Sequence, residues 1–118
     1  MDLDDTICST RGGNYAESTP RAEVIQRLHE YRAQGFQVVI STSRNMRTYE
    51  GNIGKITANT LPLIVTWLDK HNVPYDEIYV GKPWCGTEGF YVDDKAIRPD
   101  EFISKSYEEI KNIVGIRS

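Results

Sequence analysis

Residues 36–42 read FQVVIST, an apolar run that ends in two hydroxyl side chains. Val38, Val39 and Ile40 are adjacent and β-branched, a pattern typical of a short strand buried in a sheet. The polar residues 43–45, SRN, follow at once. The stretch therefore predicts a buried strand that ends where polar chemistry begins.

Apolar residues recur at helical spacing on both sides of this strand. The first helix is predicted to begin at Pro20, behind the capping hydroxyls of Ser18 and Thr19, and to end at Gly35. A second helix is predicted over residues 61–71 and a third near residue 110, each with one buried face. The apolar stripes are Val24, Ile25, Leu28 and Tyr31 in the first, Leu63, Ile64, Trp67 and Leu68 in the second, and Tyr107, Ile110, Ile113 and Val114 in the third.

Two further apolar runs, residues 77–80 and 90–92, predict strands. Strands that alternate with helices indicate an α/β fold with a parallel sheet, in which ligands bind outside the carboxyl ends of the strands. Before the first helix, Gly12 and Gly13 interrupt two polar segments, and we expect these to pair as a small hairpin flap. The alternative for this segment is a disordered loop.

Composition narrows the class of protein. The chain has 118 residues, of which 39% are hydrophobic and 26% charged, with a formal net charge of −3. This length predicts a single domain over residues 1–118, and the charge offers no basic face for a nucleic acid. No apolar run approaches a membrane span and no signal-peptide pattern is present, so we expect a cytoplasmic protein without membrane contact.

Acidic and polar side chains occur where the predicted strands end. The carboxyl ends of parallel strands meet at one edge of a sheet, so we expect these side chains to share a crevice. Each signal is weak alone, but together they describe a site in which every member has a role. The side chains are Asp2, Asp4 and Asp5, then Thr42 after VVIS, Lys82 after YVG, and Asp93 and Asp94 after FYV.

The chemistry of such a cluster favours a phosphate site. Clustered carboxylates repel one another unless a cation neutralises them, and a hard divalent ion such as Mg²⁺ suits oxygen ligands. Together with the ammonium of Lys82 and the hydroxyl of Thr42, the ion would surround the oxygens of a phosphoryl group. One carboxylate can attack phosphorus while a second protonates the departing oxygen, and Asp2 and Asp4 suit these roles.

The strings DLDDTI, VVIST followed by SRN, VGKP and FYVDD resemble, in order and spacing, the four motifs of the haloacid dehalogenase-like (HAD) phosphohydrolases. The resemblance covers nearly the whole chain and implies a Rossmann-like three-layer α/β sandwich with a parallel central sheet. It also implies a Mg²⁺-dependent phosphomonoesterase that works through an aspartyl-phosphate. Two longer strings, ISTSRNMRTYEGNIGKI and VPYDEIYVGKPWCG, are similar to those of a small branch associated with bacterial capsule and surface-polysaccharide biosynthesis. A phosphorylated small molecule, such as a sugar phosphate, is the implied substrate.

The resemblance also implies a role for each residue of the cluster. By the pattern of the family, Asp2 is the nucleophile and Asp4 the general acid/base. Thr42 and Lys82 match the hydroxyl and the lysine that bind the phosphoryl group. The residues that the pattern assigns to Mg²⁺ are Asp2, Asp4 through its backbone carbonyl, Asp93, and Asp94 as a support of the metal shell.

Substrate selectivity in the family usually resides in a cap domain inserted after the first motif or between the second and third. Neither gap is long enough here, so we expect an open, capless site. Arg44 and Asn45 follow the strand end directly and are predicted to bind a second anionic or hydroxylated part of the substrate. Alternatively, they cap the next turn. Open sites in the superfamily are often completed by a neighbouring subunit, which allows a homo-oligomer here.

Two other functions fit part of the pattern. A response-regulator receiver, a phosphoacceptor switch, also places acids, a threonine and a lysine around Mg²⁺, but its lysine comes last, whereas Lys82 precedes Asp93. A non-catalytic relative that binds a partner is the second alternative. The first motif of the family ends a buried strand that is reduced here to Met1. We therefore expect an omitted or misplaced start, with the first strand truncated.

Overall fold

The computed structural model describes residues 1–10 and 18–117, which form two compact units, Met1–Trp84 and Cys85–Ser118. The first unit is a mixed α/β fold with a small parallel sheet. Its elements are β1 (Cys8–Ser9), β2 (Thr19–Pro20), α1 (Ala22–Ala33), β3 (Val39–Thr42), α2 (Ile53–Asn59), α3 (Leu61–Lys70) and β4 (Glu77–Val80). The second unit contains α4 (Pro99–Ser104) and α5 (Tyr107–Val114). The single domain predicted over residues 1–118 stays a prediction.

The parallel pair of β3 and β4 forms the centre of the first unit. The two strands pair in register over all four residues of each. On the other side of β3, the amine of Met1 donates to the Val39 carbonyl, and the Met1 carbonyl accepts from the Ser41 amide, both at 2.9 Å. This is the hydrogen-bond pattern of a parallel ladder, so the backbone of β3 lies between β4 and Met1.

The strand predicted over residues 77–80 is confirmed as β4, and the one over residues 36–42 is confirmed in part, since β3 begins at Val39. Phe36 does not join the sheet. Its amide donates to the Tyr31 carbonyl at the end of α1, and the two rings pack edge to face with centroids 5.2 Å apart. The beginning of the apolar run therefore terminates a helix instead of starting a strand.

The core of the first unit fixes β3 and the residues around β1. Burying one large apolar side chain stabilises a fold by about 1.5–3 kcal/mol, so this set dominates the stability of the unit. Ile40 of β3 is fully buried at its centre. The buried apolar side chains are Leu3, Ile7, Cys8, Val24, Leu28, Val38, Ile40, Ile56, Ile64, Trp67, Leu68 and Val73.

The predicted hairpin is confirmed at its base, where β1 and β2 pair antiparallel. Its predicted turn at Gly12 and Gly13 lies outside the described residues. The pairing also explains why the predicted start of the first helix was wrong. Thr19 and Pro20 belong to β2, and the Arg21 amide donates to the Ile7 carbonyl at 2.8 Å. The helix therefore begins only after the strand ends, and no side chain of the described residues caps it.

The second predicted helix is confirmed as α3, although one residue of its stripe was wrong. Ile64, Trp67 and Leu68 are buried, whereas Leu63 is 66% exposed. Adjacent residues of a helix lie about 100° apart around its axis, and the sequence alone does not say which of two neighbouring apolar residues faces the core. The buried face of α3 is therefore narrower than its apolar composition indicates.

Two short helices, α2 and α4, were not predicted from the sequence. α2 begins behind Asn52, whose side chain accepts from the Lys55 amide at 3.0 Å. α4 begins behind Arg98, whose amide donates to Glu101 at 2.9 Å. Both helices are shorter than the window over which hydrophobic periodicity becomes visible, so only their caps marked them in the sequence.

In the second unit, the predicted last helix is confirmed as α5. Ser106 accepts from the Glu109 amide at 3.2 Å, and the Glu109 carboxylate accepts from the Ser106 amide at 3.0 Å. This reciprocal capping box defines the first turn, and Gly115 ends the helix in the left-handed conformation. In the described part of the chain, no helix is both long enough and apolar enough to cross a bilayer.

The strand predicted over residues 90–92 is not formed within the second unit. Among the described residues of that unit, these three belong to no strand ladder. A β-branched and aromatic run becomes a strand only where a neighbouring backbone takes its hydrogen bonds, and propensity alone does not supply that neighbour.

The contrast between two adjacent residues of α3 gives a direct test of this core. Ile64→Ala removes a fully buried side chain and should lower the free energy of unfolding by about 2–5 kcal/mol. Leu63→Ala, the matched control, removes a mostly exposed side chain and should change it by less than about 1 kcal/mol. Urea unfolding followed by circular dichroism measures both. Equal losses in the two variants would contradict the described face of α3.

Candidate functional site

The acidic segment beside β3 is shaped by a tight turn around Leu3. The side chain of Leu3 is buried, and its carbonyl accepts from the amides of Thr6, Ile7 and Cys8 at 2.9–3.2 Å. Asp5 adopts a left-handed backbone conformation within this turn. The buried leucine anchors the segment, while the flanking carboxylates of Asp2 and Asp4 stay partly exposed.

The carboxylate of Asp2 contacts Lys82 and Thr6. Its Oδ1 lies 3.6 Å from the Nζ of Lys82, and its Oδ2 accepts from the hydroxyl of Thr6 at 3.2 Å. The separation from Lys82 exceeds an ordinary hydrogen bond, and partly exposed ion pairs contribute little to stability. The two charges are therefore paired loosely enough for another group to come between them.

Lys82 is positioned by the end of β4. The Lys82 amide donates to the Thr42 carbonyl at 3.1 Å, which extends the β3–β4 ladder beyond the last strand residue. Gly81, directly before it, has a φ of +86°, and a Cβ at this position would collide with Ile53. The positive φ therefore favours glycine in the turn that presents Lys82 beside Asp2, and a Cβ there would also force the end of the exposed Ile53 side chain to move.

Asp4 is held by Arg44 in a bidentate ion pair. The Nη2 of Arg44 donates to Oδ1 at 2.7 Å and the Nε donates to Oδ2 at 3.1 Å. The Arg44 side chain is only 4% exposed. The Arg44 amide also donates to the buried hydroxyl of Thr42 at 3.1 Å. The pair therefore joins the acidic turn to the carboxyl end of β3.

The base of the hairpin supplies further contacts to Asp4 that the sequence did not indicate. The Thr10 hydroxyl donates to the Asp4 Oδ1 at 3.0 Å, and it also pairs with the hydroxyl of buried Ser18 at 3.1 Å. The Cys8 sulfur lies 3.7 Å from the same Oδ1. The signal available in the sequence was only that Thr10 and Ser18 lie on either side of the predicted hairpin turn.

Asn45, predicted with Arg44 to bind substrate, contacts the loop after β3 and the start of α3. Its side-chain amide donates to the Thr48 hydroxyl at 3.2 Å, and its Oδ1 accepts from the Thr60 hydroxyl at 2.8 Å. Its backbone is left-handed, a conformation that asparagine tolerates better than most residues. These contacts favour the turn-capping alternative for Asn45.

Asp93 and Asp94 belong to the second unit and are exposed. The Asp93 Oδ1 accepts from the Lys95 amide at 2.8 Å, a local turn contact. Among residues 1–10 and 18–117, no group of three or more His, Cys, Asp or Glu side chains is arranged to hold a metal ion. The assignment of Asp93 and Asp94 to a metal site stays a prediction.

The structure thus places six of the eight predicted site residues in the first unit, as two ion-paired groups, Thr42, and the separate Asn45. Asp2 lies beside Lys82, Asp4 is bound to Arg44, and Thr42 contacts both Lys82 and Arg44 through its backbone and hydroxyl respectively. The first two groups are linked through Thr42, at the end of the central strand.

The chain is similar to a Vibrio cholerae protein known from the crystal structure of an MCSG target. The two are 58% identical over 97% of this chain and 93% of that chain, with a TM-score of 0.94. The chain therefore belongs to the same family as this Vibrio cholerae protein. No family model matches the chain, and no curated protein matches it.

The bidentate pair predicts a large effect for the loss of Arg44. Arg44→Met leaves the Asp4 carboxylate without its guanidinium and should lower the free energy of unfolding by about 3–5 kcal/mol. Arg44→Lys keeps the charge but not the planar fork, and should cost about half as much. In the control Arg47→Met, an exposed cation 5.8 Å from the Trp84 ring is lost, at a cost below about 1 kcal/mol. Equal losses for Arg44→Met and Arg47→Met in urea unfolding would contradict the pair.

The two cysteines should differ in reactivity. Burial raises the pKa of the Cys8 thiol, whereas Cys85 is partly exposed. The thiolate is the reactive form, so a disulfide reagent at pH 8 should modify Cys85 quickly and Cys8 only after unfolding in urea. Cys85→Ser should abolish the fast reaction and Cys8→Ser should retain it. A fast reaction in Cys85→Ser would show that Cys8 is accessible.

Proposed function

We propose that the chain is a phosphomonoesterase of the HAD type, which uses Mg²⁺ and passes through an aspartyl-phosphate. The observation that carries the proposal is the position of Asp2, 3.6 Å from Lys82. The Thr42 carbonyl, at the end of the strand between them, accepts from the Lys82 amide at 3.1 Å. A carboxylate, a hydroxyl and an ammonium at neighbouring ends of parallel backbone segments are the groups that phosphoryl transfer requires.

The proposal includes the finer architecture, a Rossmann-like three-layer sandwich without a cap domain. The parallel order of Met1, β3 and β4 supports it, because a central strand flanked by parallel neighbours is the core of a doubly wound sheet. The substrate class that we propose is a sugar phosphate or a related small metabolite of polysaccharide biosynthesis. This assignment rests on the longer strings around Arg44 and Lys82. A cytoplasmic location and a homo-oligomer stay predictions.

In the proposed reaction, the Asp2 carboxylate attacks phosphorus and the ester oxygen leaves. Lys82 lies close enough to Asp2 to bind the same phosphoryl group and offset its negative charge. The Thr42 hydroxyl accepts from the Arg44 amide and keeps its own proton to donate to a phosphoryl oxygen. Water then hydrolyses the acyl-phosphate on Asp2 and regenerates the free carboxylate.

Asp4 is proposed as the acid that protonates the leaving oxygen and as the base that then activates water. Within the described residues, Oδ1 of Asp4 accepts from Arg44 and Thr10, whereas Oδ2 accepts from Arg44. A carboxylate oxygen has two lone pairs, so Oδ2 is the better placed to carry the transferred proton. The contacts of Arg44 favour holding Asp4 over binding the substrate.

The donor atoms near Asp2 fit Mg²⁺, which prefers hard oxygen ligands. Those that would hold it in the first unit are the partly exposed carboxylate of Asp2 and the backbone carbonyl of Asp4. When bound, the ion supplies positive charge to the phosphoryl oxygens and lowers the repulsion between substrate and nucleophile. The chain contributes Lys82 to the same task, and the ladder bond of its amide fixes the backbone that carries this ammonium.

The decisive test compares substitutions at three neighbouring carboxylates, Asp2, Asp4 and Asp5. Hydrolysis of p-nitrophenyl phosphate and of a panel of sugar phosphates is measured with Mg²⁺, and again with excess EDTA. Asp2→Asn should abolish turnover, and Asp4→Asn should lower kcat by about 100- to 10,000-fold. Asp5→Asn is the matched control, because Asp5 is exposed and asparagine tolerates its left-handed backbone. Its rate should remain within about threefold of wild type.

Several outcomes would contradict the proposal. Equal rates for Asp2→Asn, Asp4→Asn and wild type would exclude the mechanism, and turnover unaffected by EDTA would exclude the metal. A stable phosphoprotein without turnover would favour the receiver-like switch. Absence of both phosphorylation and turnover would favour the non-catalytic relative.

A further inference from the structure

The hairpin base contains a pair of hydroxyls that bears on Asp4. Ser9 pairs with Thr19 in the β1–β2 ladder, so Thr10 and Ser18 are the next residues on each side. Their hydroxyl oxygens lie 3.1 Å apart, and the Thr10 hydroxyl donates to Asp4 Oδ1 at 3.0 Å. Because Thr10 has one hydroxyl proton and gives it to the carboxylate, Ser18 donates in the pair. The two hydrogen bonds therefore run in one direction, from Ser18 to Thr10 and from Thr10 to Asp4.

Ser18, the first donor of these two hydrogen bonds, lies in the core. Ser18 is 5% exposed, and its carbonyl accepts from the indole N–H of Trp67 at 3.1 Å. Trp67 is itself buried on α3. The Ser18 hydroxyl is therefore carried by a fixed part of the backbone. Thr10 contacts Asp4 from the hairpin side, whereas Arg44 contacts it from the end of β3.

Both supports oppose rotation about the bond between Cβ and the carboxyl carbon of Asp4, but they treat its two oxygens differently. Arg44 donates to both oxygens. Thr10 donates to Oδ1 alone and therefore makes the two oxygens unequal.

We propose that Thr10, held by Ser18, is a positioning residue that turns Oδ1 of Asp4 toward the protein and leaves Oδ2 to exchange the proton with the leaving oxygen. This inference rests on the proposed function and adds to it a residue outside the four motifs. In this proposal the base of the hairpin orients the acid Asp4, and it does so without contacting the substrate.

The test compares Thr10→Val, which keeps the shape of the side chain and removes the hydroxyl, with Thr10→Ser, which keeps the hydroxyl. The values of kcat/KM are measured for p-nitrophenyl phosphate, which needs little acid assistance, and for an alkyl phosphate, which needs much. Thr10→Val should lose about tenfold on the alkyl phosphate and less than about threefold on the aryl phosphate. Thr10→Ser should stay near wild type on both. Thr66→Val, the control, removes an exposed hydroxyl of α3 that bonds its own helix.

Equal losses of Thr10→Val on the two esters, or no loss on either, would overturn the inference. A second measurement is independent of activity. The Arg44 Nε–H should exchange with solvent several-fold faster in Thr10→Val than in wild type, Thr10→Ser or Thr66→Val, because the carboxylate that holds it is less constrained. Unchanged exchange in Thr10→Val would overturn the inference even in an active enzyme. If wild type shows no phosphatase activity but exchange is still faster in Thr10→Val, the proposed function is rejected. The contact by which Thr10 positions Asp4 is then still supported.

Discussion

The buried pair of Arg44 and Asp4 is the interaction on which the candidate site depends. A guanidinium that is almost entirely removed from water is stable only with a carboxylate in good geometry, and Asp4 supplies both of its oxygens. The pair fixes the acidic turn to the end of β3, since Arg44 follows Thr42 by two residues. Asp2 lies in the same segment, between Met1, whose backbone pairs with β3, and the buried Leu3.

Two kinds of charge contact thus coexist within a few residues. The Asp4–Arg44 pair is bidentate and buried on the arginine side, whereas the Asp2–Lys82 pair is longer and partly exposed. Geometry and burial make the first a structural contact and leave the second open to replacement by a ligand. A site for phosphoryl transfer needs this combination, in which the acid/base is oriented by rigid neighbours and the nucleophile is accessible. The proposed assignment of roles to Asp2 and Asp4 follows from this difference.

Much of this arrangement could be predicted from the sequence. The β-branched run before Thr42, the apolar stripe of α3 and the run at residues 77–80 are strong periodic signals, and each forms the expected element. The start of α1 was wrong because hairpin pairing competed with a capping motif for the same residues. The strand predicted at residues 90–92 does not form within the second unit, because propensity does not specify a pairing partner. The contact of Arg44 with Asp4 joins residues 40 positions apart, and the contact of Thr10 with Asp4 depends on the path of the hairpin, so only the folded backbone reveals them.

The central claim is that Asp2 forms a covalent bond to phosphorus, and trapping that intermediate tests it most directly. The protein is mixed with Mg²⁺ and a phosphate ester, quenched in acid within milliseconds, and digested for mass spectrometry after borohydride reduction, which converts an aspartyl-phosphate to homoserine. The account predicts homoserine at residue 2 in wild type, at higher occupancy in Asp4→Asn, where hydrolysis of the intermediate is slowed, and none in Asp2→Asn. Turnover of the ester without modification at residue 2, or modification at another residue, would contradict it.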